Sequence, residues 1–88
     1  MYQITDYSYR QAKILGVEIK PSTNKTKKID VFKNGEKIAS IGAIGYKDYP
    51  TFIKEKGKAY ADERRRLYHI RHAKDKSLNG YYAKKILW

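Results

Sequence analysis

Apolar and polar positions change period several times along this chain, and each change predicts an element. Residues 5–16 carry Tyr7, Ala12, Ile14 and Leu15 behind the pair Thr5-Asp6. Thr and Asp favour a helix N-cap and Gly16 is a natural stop, so a short helix is expected there. Val17-Glu18-Ile19-Lys20 alternates as a short strand does, and Pro21 closes it. Pro21 to Lys28 is polar and basic and reads as a mobile loop.

The strongest local signal follows. Lys28 to Lys33 and Glu36 to Ala43 are β-prone runs on either side of Asn34-Gly35. Asn-Gly marks a two-residue hairpin because both turn residues need positive φ. Simple pairing across that turn sets Phe32 opposite Lys37 and Val31 opposite Ile38. One face would then carry Ile29, Val31 and Ile38, and the other Phe32, Ala39 and Ile41. A lone hairpin is marginal in water and needs the helices behind it.

Tyr46 to Thr51 reads as a turn, with a short helix over about residues 51–56 that ends at Gly57. Lys58 to Lys74 contains no Gly or Pro and reads as the main helix, with Tyr60, Leu67, Ile70 and Ala73 as its apolar stripe. Residues 75–80 form a loop, and Tyr81 to Trp88 a closing helix. The expected fold is α+β: an N-terminal helix and short strand, then a two- to three-stranded antiparallel sheet built on the hairpin, packed on two or three C-terminal helices. Residues 1–88 read as one small basic domain, with 1–27 as a more mobile N-terminal region.

Composition adds a partner. Twenty Lys and Arg stand against nine Asp and Glu in 88 residues, a net charge of +11. Self-repulsion at that density opposes compaction, and a polyanion would relieve it. Nucleic acid, DNA before RNA, is the first expectation, and an acidic viral or host protein surface is the alternative. Residues 51–88 hold eleven of the cations and four of the acids, so the charge leans toward the helical half without leaving the rest. A spread charge favours phosphate-backbone contact over base readout. The chain has no Cys, which excludes disulfides and thiolate metal sites. It has no apolar run of about 18 residues, so neither a membrane span nor a membrane partner is expected. Residues 1–6 lack the basic and apolar regions of a signal peptide.

The densest cationic feature is Arg64-Arg65-Arg66, followed by Arg71 and Lys74. Consecutive helical residues point about 100° apart, so the three arginines cannot share one face. Arg64, Arg71 and Lys74 fall on one line, and Arg65, His69 and His72 on a second. Arg suits phosphate because its planar fork donates two parallel hydrogen bonds. Asp62 and Glu63 could pair with some of these cations three or four residues on, but two acids cannot neutralise them all. Arg64, Arg65, Arg71, His72 and Lys74 are the candidate nucleic-acid contacts, assisted by Lys25, Lys27 and Lys28 in the basic loop. Tyr46, Tyr49, Tyr60, Tyr68, Tyr81 and Tyr82 interleave with cations, as in a platform for single-stranded bases, although such rings more often pack in a core. His69 and His72 alone do not make a metal site, which needs three or four ligands. No phosphate-binding glycine loop and no nucleophile elbow occurs, so no catalytic residue and no cofactor is expected.

Three runs also resemble a family signature. Ile41-Gly42-Ala43 leads to Gly45-Tyr46-Lys47-Asp48-Tyr49-Pro50. Gly57-Lys58 leads to Ala61-Asp62-Glu63-Arg64-Arg65-Arg66-Leu67-Tyr68, with Arg71-His72 and Lys74-Asp75. Gly80-Tyr81-Tyr82-Ala83 leads to Ile86-Leu87-Trp88. Together, over about residues 28–88, they are similar to a family of small basic uncharacterised proteins encoded by large double-stranded DNA viruses and tailed phages. The resemblance implies a viral protein of the virion or the infected host cell, and carries over no functional residue. The expected function is therefore a virus-encoded protein that contacts nucleic-acid backbone without sequence specificity and is packaged in the virion. The alternatives are a minor capsid protein working through protein contacts, and an inhibitor of a host factor.

Overall fold

The computed structural model describes residues 2–88. Its elements run α1 (Asp6–Leu15), β1 (Glu18–Pro21), β2 (Lys27–Lys33), β3 (Glu36–Ala43), α2 (Tyr49–Lys56), α3 (Lys58–Arg71) and α4 (Leu78–Ile86). The fold is α+β, with one three-stranded antiparallel sheet in the order β1-β2-β3.

Local chemistry sets most boundaries. Thr5 caps α1 by accepting from the Ser8 amide at 3.3 Å. Gly16, at φ 73°, ends it in the left-handed conformation, with its N–H turned back to the Ala12 and Lys13 carbonyls. Asn34 and Gly35 have φ of 54° and 79°, as a two-residue hairpin turn requires.

The hairpin register departs from simple pairing. Phe32 lies opposite Lys37 as expected, but Val31 pairs with Ala39, not Ile38, and Ile29 pairs with Ile41. A β-bulge beside Ile38 absorbs one residue. Its effect is to bring Ile29, Val31, Ala39 and Ile41 onto one face, where all four are buried, and Ile19 of β1 joins them opposite Val31. Burial of apolar area outweighs uninterrupted pairing, since a one-residue slip would turn half of these side chains to the other face.

The core forms where that face meets Ala12, Val17 and the α4 residues Tyr82, Ala83, Ile86 and Leu87. α4 packs on β3 and α1, α1 on β1, and α3 on α2. Residues 2–27 take part in the fold: α1 is pinned to α4 by the buried Ser8 hydroxyl, which donates to the Ile86 carbonyl at 2.9 Å. The expected loop from Pro21 to Lys28 contracts to residues 22–26, because β1 runs through Pro21 and β2 starts at Lys27. Pro21 is tolerated because β1 is an edge strand. α4 starts earlier than expected, at Leu78, because Ser77 caps it by accepting from the Gly80 amide at 3.0 Å.

A candidate nucleic-acid interface

α2 and α3 meet through aromatic rings. Tyr68 of α3 lies flat on Trp88, with centroids 4.3 Å apart and planes 8° apart, and Phe52 of α2 touches both Trp88 and Tyr60. His72 covers the other end of the tier, 4.3 Å from Tyr68. This changes which face of α3 turns inward. The expected stripe of Tyr60, Leu67, Ile70 and Ala73 is not the buried one: Ile70 is 60% exposed, whereas Ala61 is fully buried and Tyr68 half-buried. The partners across the interface are rings, and a stacked Tyr fits them better than a branched aliphatic.

With Tyr68 inward, Arg64, Arg71 and His72 follow it into one wall of a cleft of about 630 Å³ between α3, the end of α4 and β3. The Arg64 guanidinium lies 5.7 Å from the Phe52 ring. Lys27, at the start of β2, lines the same cleft. Among the described residues no carboxylate lies within ion-pair distance of Lys27, Arg64 or Arg71. The acids of α3 are used elsewhere: Glu63 pairs with Arg66 and Asp62 with Lys58. Asp75 also borders the cleft, but its carboxylate is turned to its own chain and accepts from the Ser77 hydroxyl and amide at 2.7 and 2.9 Å. Those two bonds hold its carboxyl below the usual carboxylate range.

Other expected contacts are not brought together. Arg65 turns to the opposite side of α3 and stacks 4.3 Å above the buried Tyr49 ring. The Tyr49 hydroxyl donates to Asp62 at 2.7 Å, and this bond, with burial, raises the phenol above its ordinary value. Arg65 therefore braces α3 against α2. His72 joins Arg64 and Arg71, not Arg65 and His69. Lys74 lies beyond the end of α3, exposed and outside the cleft.

Lys28 requires a correction. The polar run predicts it in a solvated loop, but it sits in β2 and its side chain is 6% exposed. β2 is the central strand and is covered on both faces, so the residue next to buried Ile29 is buried as well. The ammonium is satisfied inside the protein: it pairs with Asp48 at 3.1 Å, donates to the Tyr46 carbonyl and faces the Tyr2 ring. Asp48 accepts in addition from the Tyr2 hydroxyl at 2.7 Å and caps α2 through the Thr51 amide at 3.1 Å. Lys28 is thus a strut and offers no charge to a ligand.

A second cleft of about 970 Å³ lies between the 22–25 turn and the 44–47 loop. Exposed Lys25 and half-buried Lys27 line it. The turn is stitched to β2 by the Ser22 hydroxyl and Thr23 amide, which donate to Asp30 at 2.7 and 3.3 Å. The two clefts share Lys27, Lys28, Gly45, Tyr46 and Lys47, so they adjoin along the 44–47 loop. Sequence reasoning missed this joint. A signal was available: Asp48 stands three residues before Thr51 with Pro50 between, an N-cap pattern that starts α2 at Tyr49 and leaves residues 44–47 as a separate loop.

Among the described residues no helix is long and apolar enough to cross a membrane, and no cluster of three or more His, Cys, Asp or Glu could hold a metal ion. No protein-family model, curated protein or solved structure matches this chain.

Proposed function

We propose that this chain is a virus-encoded protein that binds nucleic acid through phosphate contacts, without reading sequence, in the virion or the infected cell. The viral origin rests on the resemblance of residues 28–88. The binding function rests chiefly on one observation: Lys27, Arg64 and Arg71 converge on a single cleft and none has a carboxylate partner among the described residues. Cations gathered in a concavity at a net charge of +11 would focus the field there and draw in a polyanion. It is a binding role, with no chemical step assigned.

The test is a salt series from 50 to 200 mM on the purified protein with labelled nucleic acid. Affinity should fall steeply, and Arg64→Ala with Arg71→Ala should lower the slope of log affinity on log salt by roughly one for each phosphate no longer neutralised. Binding that ignores salt over that range refutes the proposal.

A second reading, a minor capsid or virion structural protein, draws on exposed apolar side chains of α2 and α3: Ile53, Tyr60 and Ile70 are 37, 45 and 60% exposed. It predicts a fixed ratio to capsid subunits in purified virions and no retained DNA. The host-factor inhibitor gains no observation of its own.

A further inference from the structure

We infer that the occupant of the two adjoining clefts is a single strand of nucleic acid, with Tyr46 stacking on a base where they join. This rests on the nucleic-acid reading above and narrows it.

The placement of charge on α3 favours a strand over a duplex. Outside the cleft, α3 carries Glu63 and Arg66, paired with each other at 2.5 Å, and exposed Ile70. The Arg66 charge there is thus already compensated by Glu63. Arg64 and Arg71 point into the concavity. A cleft of about 630 Å³ is in the range that holds one drug-sized ligand, which suits a base with its sugar and phosphate and does not suit a duplex.

The rings point the same way. Of the six tyrosines interleaved with cations, Tyr49 and Tyr82 are in the core, Tyr68 is spent on Trp88, and the half-exposed Tyr60 and Tyr81 line neither cleft. Tyr46 is 75% exposed and belongs to both clefts. Its backbone is not loose, because buried Lys28 donates to its carbonyl from below. A ring left in water on a fixed support, with Lys27 beside it, is a stacking platform that needs little ordering on binding. A duplex hides its base faces, so only an unpaired strand can use it. The strand would pass Lys25 in the second cleft, cross Lys27 and Tyr46, and enter the first cleft at Arg64 and Arg71.

The experiment is fluorescence anisotropy on the whole chain at fixed salt, with labelled oligothymidine, oligouridine and a duplex of equal length. Single strands should bind roughly tenfold or more tightly than the duplex. Tyr46→Ala should weaken single-strand binding by about five- to fiftyfold at unchanged salt slope, and Tyr46→Trp should restore it. Lys27→Ala should instead lower the slope by about 0.7. The thermal midpoint of Tyr46→Ala should equal that of the parent, since its side chain is exposed. Thymidine against uridine tells DNA from RNA without touching the inference. Equal or tighter duplex binding, or an indifferent Tyr46→Ala, overturns the single-strand inference and leaves the phosphate-binding function standing. Failure to bind any of the three overturns both.

Discussion

Lys28, Asp48 and Tyr2 join three parts of the chain far apart in sequence: the N-terminal segment, the central strand and the start of α2. Burial, together with the hydrogen bond to Asp48 and its charge, pushes the Tyr2 phenol far above its ordinary value, so it stays a donor at any working pH. A buried ion pair of this kind adds little over a well-packed apolar pair, but removing one partner strands the other charge. Lys28→Met should therefore cost about 3–5 kcal/mol of unfolding free energy in urea, whereas Lys25→Met, at an exposed turn position, should stay within about 0.5 kcal/mol. A phosphate-contacting Lys28 would behave the other way, altering the salt slope and leaving stability alone. Gly42 belongs to the same neighbourhood. Its φ is 77°, and a Cβ there would stand 2.7 Å from the buried Leu87 side chain and 3.0 Å from that of Lys28. Glycine suits the position because a Cβ would meet both neighbours and an L side chain is strained at this φ.

At the scale of elements, α3 is the least conventionally held. It packs on α2 and offers the interior little beyond Ala61, so the ring stack of Tyr68 on Trp88 and the Arg65–Tyr49 contact hold it as aliphatic side chains hold α4. Tyr68→Ala should lower stability by about 2–4 kcal/mol and shift the emission of Trp88, the one Trp in the sequence, to longer wavelength as water reaches it. Tyr68→Phe should keep both properties, because the stack uses the ring and the Tyr68 hydroxyl has no hydrogen-bond partner among the described residues. Without the stack Arg64 and Arg71 should scatter, so the alanine variant should bind nucleic acid less tightly while keeping every cation.

Across the whole molecule, acid pH strikes twice. Every carboxyl with a resolved shift (Asp30, Asp62, Glu63 and Asp75) is held below its ordinary value. Asp30 matters most, being 2% exposed. Burial alone would raise it, but donation from the Ser22 and Ser40 hydroxyls and the Thr23 amide, with Lys37 nearby, outweighs burial. A carboxyl depressed in the folded state contributes stability that is fully present above its unfolded value, near pH 4, and is lost as pH falls through the folded value. Protonation also adds to a net charge that is already +11 at neutral pH. Unfolding midpoints in urea should thus hold from about pH 7 to 5 and drop below about pH 4. In Asp30→Asn that drop should be shallower and the starting stability lower. A parent midpoint indifferent to acid would refute this linkage.

The sequence by itself determined the elements and their order. The Thr5 cap, the Gly16 stop, the Asn34-Gly35 turn and the unbroken run from Lys58 act on their own neighbours in the chain, and local sterics and hydrogen bonds settle them before any packing. The mixture of one sheet with several helices was legible for the same reason. Tertiary structure decided what local pattern cannot carry. The bulge at Ile38 exists because the far side of the core needs Ala39 and Ile41 inward. Ile70 stays in water and Tyr68 goes in because Trp88, twenty residues on, is the surface available to stack against. Net charge was readable as a sum, but which cations are free depends on where the acids fall in space. Asp48 consumes Lys28, Tyr49 engages Arg65, and Lys27, Arg64 and Arg71 are among the described cations without an ion pair and line one cleft.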